Sequence, residues 1–118
     1  KEFSIINLTD IDKAINSNLN IALGADAGFM LPHGSMNYRE MEYMIQGGMS
    51  NMQAIKAATQ VGGKLLGLNV GTIEIGQKAD ILVIKRNPME DIKILSDNEN
   101  IEVFKDGKQF NKYSILEK

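Results

Sequence analysis

At 118 residues the chain is long enough for one modest hydrophobic core and well short of the roughly 250 residues beyond which single cores stop growing. Thirteen basic against fifteen acidic residues leave a formal charge of −2, and no run of Lys or Arg breaks that balance, which excludes the strongly basic surface of a nucleic-acid binder. The absence of cysteine excludes disulfides and thiolate metal sites; with no signal-peptide pattern and no stretch near the roughly 18 consecutive apolar residues of a membrane span, the expectation is a soluble cytoplasmic protein.

Thr9 is placed to cap a short helix through Asp10, Ile11, Asp12, Ala14 and Ile15, with its acids at the positive end of the helix dipole. Asn16 to Asn20 then ends it. Ile21 to Leu23 is apolar on both faces, as expected of a buried parallel strand. The run delivers Asp26 into a loop where Gly24 and Gly28 let the backbone turn sharply and leave room for a ligand beside the carboxylate. Taken alone, Asp26 reads first as a turn residue that accepts bonds from neighbouring N–H groups. The loop continues from Ala25 to Met36 through Gly28, Pro32 and Gly34, and carries the chain's only histidine, His33.

A helix resumes at about Asn37, with Tyr38, Met41, Met44 and Ile45 at helical spacing as its buried face and Gly47-Gly48 as its end. Arg39, Glu40 and Glu42 read as its solvated face. Ser50 and Gln53 form a capping box for a second helix, lined on one side by Ala54, Ile55, Ala58 and Val61. Gly62-Gly63 is expected to interrupt that helix at about 1 kcal/mol per glycine relative to alanine. Six of the seven methionines lie between Met30 and Met52, at spacings that favour core filling over an adaptable binding surface.

Beyond Gly67 the character changes. Strands are predicted at Thr72 to Ile75 and Ile81 to Ile84, with turns at Gly76 and Asn87-Pro88. Ile101 to Lys105 leads into Asp106-Gly107, a two-residue hairpin signal because both central positions of that turn favour positive φ. A boundary near 68–71 divides the chain into an α/β part, 1–67, and a β part, 68–118.

Gly24-Ala25-Asp26-Ala27, His33-Gly34, Ala57-Ala58-Thr59 and the stretch from Gly71 to Ile81 occur in the order of a strand-end G-[TA]-D-[AS], an H-G, an A-A-T helix and a G-x-I-x-x-G-x-x-A-D-[IL] strand. This succession resembles the C-terminal end of metal-dependent amidohydrolases, in particular the imidazolonepropionase-like and prolidase-type branch. The resemblance covers roughly residues 20 to 110 and implies an α/β fragment. Residues 1–67 would be the last strand and helices of a (β/α)8 barrel, and 68–118 part of a small β-sandwich completed by the missing N-terminal segment. A chain that opens on Lys1 rather than Met fits such a piece.

By the same resemblance Asp26 is the catalytic carboxylate at the end of the last barrel strand. It would stand at the metal as one of its residues, hold a metal-bound water, take a proton as the hydroxide attacks a carbonyl, and pass it to the leaving nitrogen. His33 is implied to contact the carboxylate or carbonyl of a small-molecule amide or dipeptide substrate, although a lone loop histidine is equally a solvent-exposed residue. Asp80 reads as a structural turn residue. A divalent metal, zinc by this resemblance, belongs to the full-length enzyme. One histidine and scattered carboxylates lead us to expect no tight metal binding by the fragment, no activity, and self-association through its exposed strand edge and helix faces. Two other classes stay open: a non-enzymatic α+β interaction module, and a phosphate-binding loop before the Asn37 helix, which the Asp26 charge opposes.

Overall fold

The computed structural model describes residues 8–17, 19–25 and 37–110. Its helical half is built around the capping box: the Ser50 hydroxyl accepts from Gln53 N–H at 3.2 Å while the Gln53 side chain accepts from Ser50 N–H at 2.8 Å. That reciprocal pair starts helix α3 (Asn51–Lys56), which runs through one wide turn at Ala57–Val61 into α4 (Gly62–Leu65). Two helices precede it, α1 (Leu8–Asn16) and α2 (Asn37–Gln46). Thr9 lies within α1 rather than capping it; Asp10 is in the first turn, as expected. Gly48, at φ 108, closes α2, and Met49 N–H returns to the Met44 carbonyl at 3.0 Å.

The core is small. Met41 of α2, Ala54 of α3 and Ile92 are buried together, with Leu23, Tyr38, Met44, Ile45, Ile55 and Leu95 packed around them. Ile92 comes from a 3-10 turn, Ile92–Ser96, which the Asp91 carboxylate caps by accepting Lys93 N–H at 3.0 Å. Asn51 ties this stretch to α3, donating to the Pro88 and Met89 carbonyls at 3.0 and 3.1 Å.

The β half is a three-stranded antiparallel sheet in the order β1 (Ile81–Ile84), β2 (Ile101–Lys105), β3 (Lys108–Phe110). Ile81 pairs with Phe104 and Ile84 with Ile101. The Asp106-Gly107 hairpin forms as expected, with φ 50 and 75 at its central residues. Adjacent Leu82 and Val83 are both exposed, so neither face of β1 is fully covered by the described residues.

Besides the Thr9 cap, four expectations about these elements need correction. Ile21 to Leu23 is half-buried but forms no strand, because among the described residues no strand lies beside it and the Leu23 N–H donates instead to the Ala57 carbonyl, 3.2 Å away. Thr72 to Ile75 is a loop rather than a strand. Gly71 and Gly76, at φ 92 and 91, bend it at both ends, Lys78 N–H closes it on the Asn69 carbonyl at 2.8 Å, and Ile73 and Ile75 are left in solvent. On the second helix Ala57, not Ala58, is buried with Ala54, since the Leu23 segment lies against the i, i+3 row.

Gly62-Gly63, finally, does not interrupt the helix. Gly62 is helical at φ −59, ψ −47, and the chain continues to Leu65. The two glycines differ in what surrounds them. A Cβ on Gly62 would meet only the Ala57 carbonyl oxygen at an ordinary 3.5 Å, whereas one on Gly63 would overlap the Val70 carbonyl oxygen and lie 3.1 Å from its carbon. Gly62→Ala should therefore stabilise the chain by up to about 1 kcal/mol through helix propensity. Gly63→Ala should destabilise it by about 1–3 kcal/mol, because the backbone of 70 must move. Urea unfolding of both variants checks the pair; equal shifts would contradict the packing.

Candidate functional site

The segment that leads to Asp26 is held from the side of the helices. Leu23 packs its side chain on the Met41, Ala54 and Ile92 cluster and its N–H on the Ala57 carbonyl. Ala25 is two residues further on and is the last described residue before the loop. Asp26 and His33, the residues singled out as catalytic and substrate-binding, lie outside the described residues.

Ala57-Ala58-Thr59 forms the wide turn beneath Leu23. It is a π-helical turn, Ala57–Val61, inserted into an otherwise α-helical rod. Thr59 closes it from within, its hydroxyl donating to the Ile55 carbonyl at 2.7 Å. From outside, Gly71 lies so close that a Cβ there would stand 2.6 Å from the Thr59 carbonyl carbon and 2.9 Å from Gln60 N, and its φ of 92 already favours glycine.

Asp80 is structural, as expected. Its carboxylate accepts from Lys105 Nζ at 2.5 Å and from Asp106 N–H at 3.0 Å, so it staples the hairpin turn to the start of β1. Gly107 N–H adds a bond to the Ala79 carbonyl at 2.9 Å, so the turn is held at two neighbouring residues. The Lys105 hydrogen bond, helped by Asp106 N–H, holds the Asp80 carboxyl below its ordinary value, and in turn the Asp80 bond raises Lys105.

One polar groove of about 420 Å³ lies between α2 and the 3-10 turn, lined by Tyr38, Arg39, Glu42, Tyr43, Gln46, Lys93 and Ser96. It corrects the reading of the α2 polar face. Glu42 is not simply solvated; its carboxylate is largely covered and pairs with Lys93 Nζ at 3.6 Å. No periodicity in α2 points to that pair, because Lys93 sits on a 3-10 turn that carries no helical repeat. Among the described residues, no three His, Cys, Asp or Glu side chains converge as a metal site. A divalent metal therefore does not fit the described residues.

Residues 4–110 match the amidohydrolase family. An ochratoxinase from Aspergillus niger is 33% identical over 102 residues, an overlap of 82% of this chain and 20% of that protein. Among solved structures, a Xaa-Pro dipeptidase with methionine bound in its active site is 40% identical at a TM-score of 0.76, the match covering 88% of this chain and 25% of the other. A putative prolidase from Bifidobacterium longum is 30% identical at a TM-score of 0.77, covering 87% and 26%. The chain belongs to the amidohydrolase family. It spans about one fifth of the length of the curated relatives it matches.

The Asp80 staple has a pH signature. Its folded-state pKa lies below the ordinary 3.8, so its stabilisation is fully present above that pH and is lost as the pH falls through the folded value. Asp80→Asn should lower the melting temperature at neutral pH and do so much less at a pH below the folded value, where the wild-type carboxyl is also neutral. Equal losses at the two pH values, followed by circular dichroism, would contradict the ionic part of the staple.

Proposed function

We propose that this chain is the C-terminal part of a metal-dependent hydrolase that cleaves a non-aromatic C–N bond in a dipeptide, with a cyclic amide as the second substrate class. The observation that carries the proposal is family membership joined to the nature of the matches, which include a Xaa-Pro dipeptidase at 40% identity and a putative prolidase. Residues 1–67 would close the barrel, and 68–118 would add strands to a sandwich that preceding sequence completes. The exposed apolar side chains of Leu65, Leu66, Ile73, Leu82 and Val83 support that assembly, since so much apolar surface is costly in water and cheap against a second layer. Left alone, the chain would self-associate through these surfaces.

In this proposal Asp26 is the general base. It takes a proton from the attacking water as the new C–O bond forms at the carbonyl carbon, and delivers it to the nitrogen as the C–N bond breaks. A carboxylate on a short side chain at the end of an anchored segment suits that transfer, because the same oxygen must face first the water and then the leaving group. His33, seven residues later, would bind the substrate carboxylate. The divalent metal, zinc in this proposal, would be held by histidines that a chain with one histidine does not supply. A cytoplasmic location, in keeping with the absence of cysteine, belongs to the same proposal.

Asp26→Asn in the full-length polypeptide keeps the shape and removes the proton acceptor. Steady-state kinetics on methionyl-proline should show kcat lower by about 10² to 10⁴-fold with KM little changed. Metal content measured on the same samples should stay close to wild type. Near-normal kcat at full metal occupancy would sink the assignment, because an Asp that only makes turn bonds is replaced by Asn almost silently.

A further inference from the structure

We propose that Asp106 is a modification site, where aspartate isomerises to isoaspartate once the hairpin turn opens, and that the Ala79-Asp80 stretch is the lock that keeps the turn closed. In this reaction the backbone nitrogen of the following residue attacks the aspartate side chain. The bond from Gly107 N to Asp106 Cγ forms, the side-chain hydroxyl and the amide proton leave together as water, and a five-membered succinimide results. Water then reopens the ring. Opening at the backbone carbonyl leaves the chain running through the side-chain carbon, with no net change in mass and no reactant besides solvent. A side chain on the following residue shields the attacking nitrogen, and glycine has none. Asp106 is the only aspartate or asparagine of the chain that glycine follows.

In the folded hairpin that nitrogen is occupied. Gly107 N–H donates to the Ala79 carbonyl at 2.9 Å, so the proton that must leave before the nitrogen can attack is held in place. Asp106 N–H donates to the Asp80 carboxylate at 3.0 Å, and the Lys105 ammonium donates to the same carboxylate, which fixes the turn from its other side. Both turn residues are themselves exposed, at φ 50 and 75, so these polar contacts rather than burial keep them from reacting. A turn closed only by contacts to one short stretch opens locally, without unfolding of the helical core. The change is one-way. Isoaspartate adds a backbone carbon, and the lengthened turn no longer matches the two-residue connection between Lys105 and Lys108. The backbone carboxylate that it frees is the group esterified by the methyltransferases that use S-adenosylmethionine to mark isoaspartate, so the opened turn is a substrate for that class of enzyme.

The test ages the full-length polypeptide at neutral pH, reads isoaspartate by methyl transfer with an isoaspartyl methyltransferase, and locates it by peptide mapping. In guanidinium chloride isoaspartate at 106 should accumulate at least about tenfold faster than in the folded protein, because the turn no longer holds the amide. Folded Asp80→Ala should speed it by about tenfold, as expected for hydrogen bonds lost from the turn. Lys105→Met leaves Asp106 N–H its acceptor and threatens folding less; its rise should be about threefold, the scale of an exposed ion pair. Gly63→Ala, which loosens the helical half without touching the hairpin, should leave the rate at 106 unchanged. Absence of isoaspartate at 106 in denaturant would overturn the site. Equal rates in folded and denatured wild type, unchanged rates in both hairpin variants, or a rise in Gly63→Ala as large as theirs would overturn the lock.

Discussion

Three parts of the chain meet at the turn that begins with Ala57. The segment at Leu23 hangs on its carbonyl, the capped helix α3 brings Ala54 to the cluster on which Leu23 packs, and the loop at Val70-Gly71 closes over the helix at Gly63 and Thr59. On the helix and at the closest point of the loop the side chains are small or absent, alanine at 54 and 57 and glycine at 63 and 71. The constraint is steric before it is energetic: backbone approaches backbone at Gly63 and Gly71, and a single methyl group at either point forces a shift. The buried cluster of Met41, Ala54 and Ile92 then packs on a frame whose spacing is already set.

The β half is governed by polar contacts instead. Asp80 holds the hairpin turn by a charged and a neutral hydrogen bond, and the sheet's apolar residues remain partly open on both sides. Asymmetry of this kind, with polar groups satisfied and apolar ones exposed, is what a layer looks like when its polar bonds are local and its apolar partner is not. In the proposed assembly that partner is the remainder of a longer polypeptide, of whose curated relatives this chain spans about one fifth.

Features specified by neighbouring residues were legible in the amino-acid order. The capping box at Ser50 and Gln53, the end of α2 at Gly48, the Asp106-Gly107 hairpin and the structural role of Asp80 all depend on a few adjacent positions, and each appears as expected. Features set by distant partners were not. Thr72 to Ile75 has the composition of a strand but no strand to pair with among the described residues, and Ile21 to Leu23 lacks a neighbour in the same way. Glycine at 63 looked like a break because its reason is Val70, a contact no helical repeat reveals. The 3-10 turn at Ile92–Ser96 supplies a core residue from a stretch too short to show a period. Of the candidate site, the anchored approach to Asp26 is described; Asp26 and His33 themselves lie outside the described residues.

The proposed assembly is tested most directly by reconstitution. The 118-residue chain and the segment proposed to precede it would be produced separately, mixed with zinc, and assayed for hydrolysis of methionyl-proline while sedimentation follows the mass of each species. The account predicts that the chain alone is associated and inactive, and that mixing converts it to a discrete complex in which hydrolysis appears. A chain that is monomeric and cooperatively folded alone, or a complex that forms without hydrolysing the dipeptide, would contradict it.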